Sequence, residues 1–104
     1  MKRVLATCAV ALAMAGAAAQ AAAPNSYTGK ELAPMAKVGL GQAQKIALKA
    51  RPGEVTDREL EKESGGSGLR WSFDIKSHGK TFEVGVDASS GKVLENKAEG
   101  AHPD

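Results

Sequence analysis

The side chains of this sequence that could do chemistry are few, and their spacing suits almost none of it. His78 lies in a predicted turn and His102 in the C-terminal tail, with no HExxH and no Cys/His/Asp/Glu grouping at metal-ligand spacing. No catalytic residue, resident metal or cofactor is therefore expected. Ser89 and Ser90 have no neighbouring base to activate a hydroxyl, and Asp87-Ala88-Ser89-Ser90-Gly91 reads as turn chemistry instead. Gly65-Gly66-Ser67-Gly68 has the glycine content of a phosphate loop. It lacks the Gly-Lys-Ser/Thr and the following helix that would complete one, so it reads as a flexible connector. The single cysteine, Cys8, falls in a segment expected to be removed, which leaves no disulfide and no thiol chemistry.

One pair of carboxylates stays in play. Asp74 and Glu83 fall opposite each other in the strand register derived below, and like charges across a ladder repel. The pair reads as a weak cation site or a contact for a basic partner, or else as a pair neutralised by Lys76, Arg58 or Lys62. Neutralisation is the expectation. Arg70 opposite Asp87 is expected to be an exposed ion pair worth about 0–1 kcal/mol. The row Glu59, Glu61, Glu63 reads as a solvated edge or an acidic docking strip.

The elements that would carry these residues are clearest at the centre of the chain. Leu69, Trp71, Phe73 and Ile75 alternate with Arg70, Ser72, Asp74 and Lys76, and Phe82, Val84 and Val86 alternate with Thr81, Glu83, Gly85 and Asp87. Both runs are period-two strands with one apolar face. A two-residue loop at His78-Gly79 sets Ile75 opposite Phe82, Phe73 opposite Val84, Trp71 opposite Val86 and Leu69 opposite Ala88. A slip of one residue would put every apolar side chain on the wrong face, so the register is strongly specified. Gly79 supplies the positive φ the turn needs. A second turn from Asp87 to Lys92 follows, with Asp87 accepting from backbone N–H groups two residues on and Gly91 at a left-handed position. It leads into a short strand at Val93-Leu94-Glu95.

Upstream, Leu40, Ala43, Ile46, Ala47 and Ala50 recur at three- and four-residue steps and predict a helix over Leu40–Arg51. Gly39 is its N-cap, and Pro52-Gly53 ends it. The alanines on the buried stripe imply a close approach to the partner surface. Thr28-Gly29-Lys30-Glu31 has capping-box form and predicts a short helix through Leu32 to Lys37, with Pro34 tolerable only in a first turn. Glu54 to Glu63 is ambiguous. Thr56-Asp57-Arg58-Glu59 is another capping-box pattern, yet Val55 and Leu60 are the only apolar residues, too few to dock a helix face.

Charge and composition set the compartment. The 104 residues carry 14 Lys+Arg against 12 Asp+Glu, a formal charge of +2. Met1-Lys2-Arg3, the apolar run Val4–Ala15 and the small-residue tract ending Ala19-Gln20-Ala21 have the layout of a secretory signal peptide, with Ala22 as the new N-terminus. Loss of Lys2 and Arg3 makes the mature chain neutral. That excludes the basic footprint of a nucleic-acid or anionic-membrane binder, and no stable membrane insertion is expected after cleavage. The chain is expected in the periplasm or secreted. Its organisation reads as a signal peptide (1–21), a linker with a short helix (22–38), one domain (39–97) and a loose tail (98–104). A core this small is marginal without a partner or self-association, so a homodimer is one expectation.

Gln42-Ala43-Gln44-Lys45-Ile46-Ala47-Leu48-Lys49-Ala50-Arg51-Pro52-Gly53, the paired strands and Val86-Asp87-Ala88-Ser89-Ser90-Gly91-Lys92-Val93-Leu94 together resemble the PepSY domain family, from Leu40 to about Glu95. Members run helix, Pro/Gly break, three strands and a V-D-x-x-[ST]-G-K-V-L closing hairpin. Gly39 departs from the usual Ser or Thr cap, and Trp71 stands where Tyr or Phe is commoner. The resemblance implies that Glu54–Glu63 is a strand, an edge strand given its charge. It implies an α+β fold, one main helix on a small antiparallel sheet of three to four strands. PepSY domains occur in propeptides of thermolysin-like metallopeptidases and as small exported proteins. The implied role is a non-catalytic module that binds, and inhibits or regulates, an envelope peptidase or another protein. The edge-strand residues Thr56, Arg58, Glu59 and Glu61 would make the contact. A self-associating structural module with no peptidase target is the alternative.

Overall fold

A computed structural model describes residues 26–100. The expected signal peptide and the last tail residues lie outside them. The chain runs through a 3₁₀ helix (Lys30–Met35), α1 (Leu40–Ala50), β1 (Glu54–Lys62), β2 (Leu69–Ser77), β3 (Lys80–Asp87) and β4 (Val93–Ala98). The strands form one antiparallel sheet in the order β1-β2-β3-β4, with α1 across one face. This is the expected α+β architecture. No described helix is long and apolar enough to cross a membrane.

The central hairpin has the register read from its alternation. Arg70 pairs with Asp87, Trp71 with Val86, Phe73 with Val84, Asp74 with Glu83 and Ile75 with Phe82. Ala88 N–H then donates to Leu69 O, which continues the ladder. His78 at φ 53° and Gly79 at φ 77° make the two-residue turn. Trp71, Phe73, Ile75, Val84 and Val86 are at most 2% exposed and form the core. Helix α1 begins after an extended Gly39 that provides no side-chain cap. It lays fully buried Ala43 and Ala47 on the sheet. Side chains this small let the helix axis come close, as the stripe implied.

β1 is a strand, and its geometry explains why its sequence did not look like one. Val55 and Leu60 are an odd number of positions apart, so a regular strand would send them to opposite faces. A bulge between Val55 and Asp57 inserts one residue. Val55 then pairs with Ile75 and Leu60 with Trp71, both on the helix side. A second irregularity between Gly85 and Val86 lets Val93 sit opposite Val86 while Glu95 sits opposite Gly85. β4 also runs farther than expected, to Ala98, and Glu99 N–H still donates to Thr81 O.

Part of the expected linker belongs to the fold. The Thr28 capping box does not form: Gly29, at φ 99°, precedes the 3₁₀ helix without a side-chain cap, and Pro34 lies inside it. Thr28 instead makes a parallel bridge to β1, donating to Arg58 O (3.1 Å) and accepting from Leu60 N–H (2.8 Å). A side chain at Gly29 would run into the Leu60 backbone, so glycine is required there for two reasons. Tyr27 packs edge-on against Trp71, 5.0 Å between centroids. Trp71 Nε1 donates to Val38 O at 2.7 Å, and Val38 is buried. The N-terminal segment is thus strapped across one end of the core.

Candidate functional site

The sheet has a covered face and an open one, and period-two alternation sorts the polar residues between them. Arg58 pairs with Phe73 and so points to the helix side, where its Nε donates to Gln44 Oε1 at 2.6 Å. It cannot neutralise Asp74. Lys62, opposite Leu69, shares that side, and Lys76 is exposed. The expected neutralisation of Asp74 and Glu83 is absent: among the described residues the ion pairs are Arg70–Glu95 (3.2 Å) and Lys97–Glu95 (3.3 Å).

The open face instead gathers carboxylates. Asp57, Glu59, Ser72, Asp74, Glu83 and Glu99 line a shallow cavity of about 210 Å³. β1 contributes Asp57 and Glu59, β2 contributes Ser72 and Asp74, and β3 contributes Glu83. Glu99 arrives because β4 continues past its expected end. Burial, then the charges of Glu61 and Asp57, push the Glu59 carboxyl above its ordinary value. Burial followed by Glu99 and Asp57 does the same for Asp74. For Glu83 the causes are burial, then Glu95 and Asp74. Ser72 Oγ donates to Glu61 Oε2 at 2.6 Å, which turns Glu61 onto the same face. Among the described residues no three His, Cys, Asp or Glu side chains converge as a metal site.

These shifts make a testable pH profile. A carboxylate whose pKa is raised on folding binds its proton more tightly in the folded chain, so its contribution to stability falls as pH rises through that window. Glu59, Asp74 and Glu83 all have this sign. The melting temperature is therefore expected to rise as pH is lowered from neutrality into the carboxylate range, until Asp87 begins to lose its ionised form. Melting curves that fall steadily from neutrality would overturn this account.

Arg70 and Asp87 do not form the expected exposed pair. Arg70 passes over Gly85, whose missing Cβ leaves the room, to reach Glu95 and the Ser64 carbonyl. Asp87 is 2% exposed and joins two loops. Its Oδ1 accepts from Ser67 N–H at 2.7 Å; its Oδ2 accepts from Ser89 N–H (3.1 Å), Ser90 N–H (2.8 Å) and Ser90 Oγ (3.0 Å). Ser67 and then Ser90 hold its carboxyl well below the usual carboxylate range, against the opposing effect of burial. The turn reading of Ser89 and Ser90 and the bonding of Asp87 two residues on are both present, with Gly91 at φ 81°. The Gly65–Gly68 segment is not the flexible connector expected. Asp87 ties it down, and Gly68 N–H donates back to Gly65 O.

The proposed contact residues lie along β1 but do not share one surface. Thr56 is exposed at the bulge, and its Oγ1 donates to Asp74 O at 3.3 Å. Glu59 and Glu61 face the open side, while Arg58 faces the helix. The outward backbone groups of Arg58 and Leu60 are already engaged by Thr28. The signals missed from sequence were Glu99 and Asp57. Both reach the cavity only through the β4 extension and the β1 bulge.

A search among curated proteins and a search among solved structures each find no match. The family model described as peptidase propeptide and YPEB domain matches residues 37–97. That span takes in α1, β1 to β3, β4 up to Lys97 and the loops that Asp87 joins, and with them most of the chain. The chain belongs to the PepSY family.

Proposed function

We propose that the exported chain is a non-catalytic, propeptide-like module that binds and restrains an envelope peptidase through β1 and the open face beside it. The observation that carries this reading is the uncovered acidic face. α1 covers one side of the sheet, while the other presents Asp57, Glu59, Glu61, Asp74, Glu83, Glu95 and Glu99 against Arg70 and Lys97, both paired with Glu95, and an exposed Lys76. Removing that many unneutralised carboxylates from water against an apolar surface would be costly, so the complementary partner surface is basic. PepSY membership supports the peptidase as the class of partner. Thr56, Glu59 and Glu61 supply the contact along β1. Arg58 supports it from the other face by fixing the strand to α1.

The test is a titration of the chain into an exported metallopeptidase captured from the same envelope by cross-linking. Hydrolysis is expected to fall with added chain, and an Asp57→Lys/Glu59→Lys double variant is expected to need at least tenfold more. Juxtaposing like charges at an interface costs several kcal/mol, and a tenfold loss is about 1.4 kcal/mol. Both substitutions relieve crowding among carboxylates, so unfolding would not explain the loss. Unchanged hydrolysis at saturating excess of the wild-type chain would overturn the inhibitory reading.

A further inference from the structure

The two edges of the sheet are treated differently. The β1 edge is engaged by the chain's own Thr28 and interrupted by a bulge. β4 is the opposite edge, and no described residue pairs with its outer side. An uncovered edge presents a row of N–H and C=O groups ready to pair with another strand. We infer that β4 pairs with β4 of a second copy of this chain, antiparallel, about a two-fold axis at Asn96.

The backbone parity permits this. Glu99 turns its N–H toward β3, donating to Thr81 O. By alternation Lys97 and Glu95 also face β3, whereas the N–H and C=O of Ala98 and Asn96 face outward. A two-fold axis at Asn96 therefore makes Asn96 a hydrogen-bonded pair with its own symmetry mate. The Asn96 side chain is out of the way: its Nδ2 donates to Ala50 O (3.2 Å) and its Oδ1 accepts from Arg51 Nε (3.2 Å), both at the end of α1.

Charge selects both the occupant and the register. With Asn96 on the axis, Glu95 of each copy lies directly opposite Lys97 of the other, on the open face. Opposite charges in directly opposed positions stabilise a strand pair, and the symmetry supplies the pairing twice. Lys97 can reach the other copy, because its side chain is 71% exposed and its ion pair with its own Glu95 can be exchanged for one with Glu95 of the second copy. A shift of register by two residues would break both pairs. The product is a continuous eight-stranded sheet with both helices on one side and the two β1 edges at its ends. The inference does not depend on the peptidase reading, since it uses the other edge.

Sedimentation velocity of the purified chain over a concentration series tests it. The wild-type chain is expected to pass from monomer to dimer as concentration rises to about 100 μM, since one strand edge buries less than a standard interface. Lys97→Glu places Glu95 opposite a second carboxylate and is expected to weaken dimerisation at least tenfold. Ala98→Pro removes an outward N–H without touching the β3 ladder and is expected to do the same, with unchanged circular dichroism. A wild-type chain that stays monomeric throughout would overturn the inference. So would a dimer indifferent to both Lys97→Glu and Ala98→Pro. Neither outcome would affect the peptidase titration.

Discussion

Replacing Asp87 by Ala is expected to cost about 3–5 kcal/mol, the largest effect of any polar substitution in the domain. The carboxylate is almost fully buried and receives three backbone N–H groups and one hydroxyl. Alanine would leave those donors without an acceptor and unfasten two loops together, the one between β1 and β2 and the turn between β3 and β4. A domain of this length holds about 4–11 kcal/mol in total, so the variant should sit near the edge of folding. Asp87→Asn keeps one acceptor oxygen but directs an amide N–H₂ at donors, and is expected to lose about half as much. Urea denaturation of the three proteins checks the order. A cost under about 1 kcal/mol for alanine would mean that water replaces the carboxylate, and that the loops do not depend on it.

The same residue sets the acid limit of the fold. Its folded pKa lies below the usual carboxylate range, so its stabilisation is complete above the unfolded value and is lost as pH falls toward the folded one. Glu59, Asp74 and Glu83 have the opposite sign. The Asp87 and Glu59 groups therefore bracket a stability maximum in mildly acidic solution, with loop fastening lost on one side and face repulsion growing on the other.

Replacing Trp71 by Ala is expected to cost about 3–5 kcal/mol and to leave most molecules unfolded above room temperature. Trp71 is 2% exposed, lies opposite both Leu60 and Val86, and packs against Tyr27. Trp71→Phe isolates its second job. Phenylalanine keeps the apolar contact but leaves the Val38 carbonyl without the indole N–H, a loss of about 1–3 kcal/mol. That loss should be local, because Val38 leads into α1 while Tyr27 and Thr28 form the strap. Amide exchange of Leu60, which donates to Thr28 O, is expected to quicken in the Phe variant more than exchange in the β2–β3 ladder. Uniform quickening would show that the strap opens only with the whole domain.

Much of the molecule was legible before any coordinates because its signals are local. The β2–β3 register follows from alternation on both sides of a two-residue turn, and α1 follows from a stripe of small apolar residues ended by Pro52-Gly53. Asp87 was legible as a turn acceptor, since Ser89 lies within reach along the chain. Its bond to Ser67 was not, because nothing local brings that loop to it. β1 was decided by family resemblance and not by its own residues. Its bulge hides the periodicity, and the bulge exists only because Val55 and Leu60 must both reach the core.

The acidic face shows the same division. Asp74 opposite Glu83 could be read from the hairpin alone. Whether a cation neutralised them depended on which face Arg58 and Lys62 took, and the β1 bulge reversed the answer by one residue. Glu99 joined the cluster only through a strand longer than its apolar residues implied. Turn chemistry and hydrophobic alternation act between near neighbours, so α1, the β2–β3 hairpin and its register follow from local residues alone. Which charges share a surface and which edge stays open depend instead on bulges and a strap, set by packing between segments distant along the chain.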